Sequence, residues 1–79
     1  MASSNKAEAE RYVLDYFRRR WPHADLDTTL RGQLRLDEYD IYDIGRELRG
    51  WRGTTYTPGE FAKCKTLKAI VALLLSKLQ

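Results

Sequence analysis

Residues 66–78, TLKAIVALLLSKL, place Leu67, Ile70, Val71, Leu74, Leu75 and Leu78 at alternating intervals of three and one. On a helix that spacing gathers all six into one wide apolar stripe, and Thr66 is a good N-cap for it. Other segments must cover the stripe, and two more carry helical periodicity. Ala9, Val13, Tyr16 and Phe17 recur at spacings of four, three and one. They predict a helix from about Asn5 to Arg20, capped by Ser4 or Asn5 and stopped by Pro22. Glu8 and Glu10 lie in its opening turns and Arg18, Arg19 and Arg20 in its last, as the helix dipole favours. Asp37 can cap a further helix running to about Arg49, with Ile41, Ile44 and Leu48 on its buried side and Leu36, Tyr39 and Tyr42 beside them.

Between these helices the chain is punctuated. Residues 22–36 read as a long loop of turn formers (Asp25, Asp27, Thr28, Gly32) in which Leu26, Leu30, Leu34 and Leu36 can anchor on a core. A loop of that length in a small domain is often functional. The stretch GWRGTTYTPGE, residues 50–60, breaks the second helix, and a short helix is expected over residues 59–64. Gly45 inside the second helix costs about 1 kcal/mol relative to alanine, so it marks either a close packing contact or simple tolerance. The expected fold is all-α: a small four-helix bundle of three main helices and one short one, with residues 1–79 forming a single domain. Leu36, Tyr39, Ile44, Leu48, Leu67, Ile70, Val71 and Leu74 are the expected core.

A domain of 79 residues buries only about 60% of its unfolded surface, so its core is modest. One cysteine, Cys64, makes no internal disulfide, and together with one histidine, His23, it falls short of the four ligands of a structural zinc site. The opening MASSNKAEAE lacks the apolar run of a signal peptide, and AIVALLL is far short of a membrane span. A cytoplasmic monomer is expected. Cys64 reads as a partly buried filler, and His23 as a loop residue with no nucleophile or second histidine to work with. Asp37 and Glu38 are adjacent, so on a helix they point apart and make no acid–base pair. Nothing in the sequence reads as an active site, and no metal site is expected.

The net charge of +3 conceals a partition. Residues 1–36 carry seven bases against five acids, and residues 49–79 six bases against one acid. Residues 37–48 reverse this, with five acids against one base. Asp40, Asp43 and Glu47 fall at spacings of three and four, a row on one exposed helix face.

The order of features — long loop, acidic helix, connection with glycine and proline, short helix, threonine-capped last helix — resembles the acyl carrier protein family. LRLDEYDIYDI and KTLKAIVALL carry the resemblance, which covers nearly the whole chain. In that family the second helix opens with Asp-Ser-Leu, usually followed by an acid, and the serine accepts the phosphopantetheine arm. Here Asp37 matches the aspartate, Tyr39 the leucine and Asp40 the following acid, while Glu38 stands where the serine would be. A carboxylate cannot form the phosphodiester, and Ser3, Ser4 and Ser76 lie at the chain ends. The resemblance therefore implies a carrier-like, non-catalytic domain with no phosphopantetheine.

Three readings of Glu38 stay open. It is a helix-start acid favoured by the dipole, an imitation of the charge of a phosphoserine, or an engineered substitution. The resemblance also implies that the acidic second helix meets a basic docking surface on a partner, an acyl-processing or biosynthetic enzyme of fatty acid or polyketide chemistry. Glu38, Tyr39, Asp40, Tyr42, Asp43 and Glu47 are the expected contact residues; tyrosines among charges suit interfaces because they bury much area at little entropic cost. The rival reading is a small basic helical nucleic-acid binder, gripping single strands through FRRRWPH and RELRGWRG. The acidic helix opposes it, and helix ends account for the arginines.

Overall fold

The computed structural model describes residues 4–78 of the chain. Among them four α-helices form in order: α1 (Asn5–Arg18), α2 (Glu38–Leu48), α3 (Pro58–Ala62) and α4 (Leu67–Ser76), with a 3-10 turn at Trp51–Gly53. The all-α expectation holds. Each α-helix starts where a side chain can satisfy its free amides. Ser4 accepts from the Ala7 N–H, and Thr66 from the Ala69 N–H. Asp37 accepts from the Asp40 N–H while the Asp40 carboxylate returns to the Asp37 N–H, a reciprocal cap that Thr57 and Glu60 repeat at α3.

Boundaries of three helices differ from the sequence reading. α1 ends at Arg18 rather than Arg20, because the Arg20 N–H closes a tighter turn onto the Phe17 carbonyl (3.2 Å) and Pro22 disfavours helical backbone at the residue before it. α4 stops at Ser76 rather than Leu78, where the Lys77 and Leu78 N–H groups close tight turns onto the Leu74 and Leu75 carbonyls. α3 runs from Pro58 to Ala62 rather than over residues 59–64: Pro58 sits at a helix start where its missing N–H is not needed, and the Cys64 N–H closes a tight turn onto the Phe61 carbonyl (3.0 Å).

The long segment before α2 is fastened rather than loose. Its Leu30 N–H donates to the Lys65 carbonyl (3.0 Å), and the Leu67 and Lys68 N–H groups at the start of α4 donate to the Thr28 (3.2 Å) and Leu26 (2.9 Å) carbonyls. The loop thus supplies acceptors to amides that a helix start otherwise leaves unpaired. Leu30 and Leu36 are buried and Leu26 and Leu34 packed at the margin, so the leucine anchors act as expected.

The core joins Ala9, Val13 and Phe17 of α1 to Ile41, Ile44 and Leu48 of α2, Phe61 of α3, and Leu67, Ile70, Val71 and Leu74 of α4. Seven of the eight expected core residues are buried. The eighth, Tyr39, is corrected: it is 82% exposed. Tyr42, read as lying beside the buried side, is also exposed. Both fall outside the arc of α2 set by Ile41, Ile44, Gly45 and Leu48.

Gly45 marks a close approach. A Cβ on it would stand 2.9 Å from the Phe61 ring, which is fully buried. Tyr56 stacks on the same ring at 5.4 Å and donates its hydroxyl to the Gly45 carbonyl at 2.6 Å. Gly45→Ala gains about 1 kcal/mol of helix propensity but drives a methyl into a ring with no room to retreat, costing about 1–3 kcal/mol. The expected outcome is a net loss, read as a melting temperature lowered by several degrees, whereas an exposed glycine-to-alanine change in a helix would raise it.

Candidate acidic docking face and adjoining groove

α2 divides its exposed arc in two. Asp40, Asp43 and Glu47 form one edge, toward the C-terminal end of α1; Tyr39, Tyr42 and Arg46 form the other, beside Pro58. Glu38 is exposed in the first turn, where dipole and free amides favour its charge. The expected contact residues therefore share one accessible helix surface.

The acids are not equally free. The Asp40 carboxylate is the returning arm of the helix cap, 3.3 Å from the Asp37 N–H. Asp43 pairs with Arg46 one turn along, an exposed pair of small energetic weight. Glu47 accepts a hydrogen bond from the Tyr16 hydroxyl of α1. Burial, then the Glu47 hydrogen bond and charge, raise the Tyr16 pKa, so the hydroxyl stays a donor. Glu38 enters none of the three ion pairs found among the described residues.

Sequence reasoning missed what faces the acids. Arg19, Arg20 and Trp21, at the end of α1, stand across a groove of about 420 Å³ from Asp40, Asp43 and Glu47, with Tyr16, Leu36 and Ile44 also lining it. The arginines serve as end-of-helix cations in a sequence reading, and no local signal connects them to acids some twenty positions on. Arg20 lies over the Trp21 ring, 4.8 Å from its centroid, and Trp21 packs on Phe17 at 6.0 Å. The turn is held by the Arg18 side chain, whose Nε donates to the Ala24 carbonyl at 2.8 Å.

The second arginine–tryptophan stretch is engaged internally. Trp51 stacks on Tyr12 at 6.0 Å, and Arg52 donates to Asn5 (2.6 Å) and pairs with Glu8. His23 is exposed. Ser3 lies outside the described residues; Ser4 caps α1, and Ser76 donates to the Leu73 carbonyl at 2.7 Å. Among the described residues no group of three or more His, Cys, Asp or Glu side chains is arranged to hold a metal ion, and no helix is long and apolar enough to cross a membrane. Compared with known proteins, the chain matches no family model, no curated protein and no solved structure.

Cys64 is the packing residue expected: it is buried, and burial pushes its thiol up to about 11. Burial likewise pushes the Tyr56 hydroxyl up to about 12. Both groups hold their protons more tightly folded than unfolded, so their contribution is complete below the unfolded values of 9.0 and 10.0 and is lost as pH rises toward the folded ones. The urea midpoint is expected to hold up to about pH 9 and then fall across the next two to three pH units. A Cys64→Ala variant should lack the earlier part of that fall, and native Cys64 should resist alkylation at neutral pH until the protein is unfolded.

Proposed function

We propose that this chain is a non-catalytic interaction module that docks through α2 onto a basic surface of a protein partner. The observation that carries the reading is the composition of that exposed surface. The exposed arc of α2 carries Glu38, Asp40, Asp43 and Glu47 together with Tyr39, the most exposed large hydrophobic side chain among the described residues. A ring so exposed gains little from its own fold; it contributes area once a partner covers it. The acids concentrate on this helix in an otherwise basic chain, which favours encounter with a cationic surface and sets the orientation of docking.

The finer reading is that the scaffold is an acyl-carrier-like domain without its attachment serine, partnered with an acyl-processing enzyme. Its support is the order of elements: an Asp-capped acidic α2 after a long fastened loop, a short α3 and a Thr-capped α4. Glu38 occupies the exposed helix start where the family's serine would receive its arm.

Incubation with coenzyme A and a broad-specificity phosphopantetheinyl transferase, followed by intact mass measurement, tests that scaffold. The native chain is expected to stay unmodified while Glu38→Ser gains the arm. If the serine variant is also refused, the carrier-like reading loses its support and the docking reading must stand on α2 alone.

A further inference from the structure

The groove between α1 and α2 sorts its charges by wall. Asp40, Asp43 and Glu47 stand on one side, Arg19 and Arg20 on the other, with the Trp21 ring, Leu36 and Ile44 offering apolar surface between them. Opposite charges on neighbouring helices ordinarily close on one another, yet neither arginine belongs to any of the three ion pairs among the described residues.

Local contacts engage these groups before they can pair with one another. Asp40 is drawn back to the cap, Asp43 is turned along its own helix to Arg46, and Glu47 is held by Tyr16. Opposite them Arg20 lies over the Trp21 ring, and the Trp21 backbone N–H is bonded to the Phe17 carbonyl at 2.8 Å. With the acids and Arg20 each engaged locally on either side of an apolar floor, the groove is partly pre-organised for a guest carrying both signs, so less ordering is left to be done on binding.

Such a guest has a definite chemistry. A cation meets the carboxylates, an anion meets the guanidiniums, and an apolar side chain between them covers Trp21, Leu36 and Ile44. A purely basic guest would satisfy one wall and be repelled by the other, and juxtaposed like charges are costly enough to exclude wrong partners. We propose that this groove binds an extended segment of the partner in which a Lys or Arg and an Asp or Glu flank an apolar residue. This rests on the docking reading of α2 and narrows it: the acidic edge attracts basic segments, and the arginine wall selects among them.

The test is a nuclear magnetic resonance titration of the full chain with three short end-blocked peptides of equal length. In them a central leucine is flanked by Lys and Glu, by two Lys, or by two Glu. The Trp21 indole N–H reports the groove, and that of Trp51, packed on Tyr12 outside it, serves as internal reference. The mixed peptide is expected to shift Trp21 alone and to bind about tenfold or more tightly than either other peptide. Arg19→Glu/Arg20→Glu should move the preference to the doubly basic peptide, and Arg19→Ser/Arg20→Ser should remove the discrimination if the reversal disturbs the fold. Equal binding of the mixed and doubly basic peptides to the native chain overturns the arginine-wall proposal while leaving the docking reading in place. No response of Trp21 to any peptide overturns the groove proposal. Whether Tyr39 and Asp43 then respond to the doubly basic peptide decides the docking reading separately.

Discussion

The bundle turns on the meeting of Phe61 with Gly45. α3 is barely more than one helical turn and cannot hold its place by its own hydrogen bonds. It is held because α2 has no side chain at Gly45, so the Phe61 ring lies directly on the helix backbone. Tyr56 closes the contact from the other side, stacking on the ring and bonding to the Gly45 carbonyl. Docking α3 there places α2 against the core and leaves its remaining arc facing outward. The exposed position of Tyr39 and the acidic edge thus follow from a contact on the opposite side of the same helix.

The second constraint is the fastening of the long loop to the start of α4. Leu26 and Thr28 present carbonyls to α4 amides, Lys65 returns one to Leu30, and Leu30 and Leu36 are buried. These contacts carry the chain from the end of α1 to the start of α2 and bring Leu36 to the floor of the groove. A loop of this length would otherwise leave the position of α2 undetermined, and with it the distance between acids and arginines.

Charge on this molecule is organised at two scales. Along the chain, the acids cluster in α2 while both flanking segments are basic. In space, part of that acidity is used internally, in the α2 cap, in the Asp43–Arg46 pair and in the Tyr16–Glu47 hydrogen bond. Glu38 and Tyr39 are left as the outward part of the surface. The acidic edge shares its groove with Arg19 and Arg20, so the surface there is distinguished by the pattern of its charges rather than by their sum.

Periodicity and capping residues determined the helices by themselves. The stripe of α4, the Ala9–Val13–Phe17 face of α1, the caps at Ser4, Asp37 and Thr66, and the interruption at Gly50 are local features, and the structure follows them to within a turn. Local reasoning failed where the answer depended on residues far apart. Tyr39 and Ile41 are both plausible buried residues near a helix start, and only the direction from which α3, α1 and α4 approach decides that Ile41 is covered while Tyr39 is not. Gly45 was legible as either a contact or a tolerated residue; the arrival of Phe61 made it a contact. The acidic row was likewise visible in the sequence, but its arginine counterpart was not, because folding back across the long loop is what sets Arg19 and Arg20 opposite Asp40, Asp43 and Glu47. Spacing along one helix is dictated by its pitch, whereas the pairing of two helices is dictated by how their side chains fill the space between them.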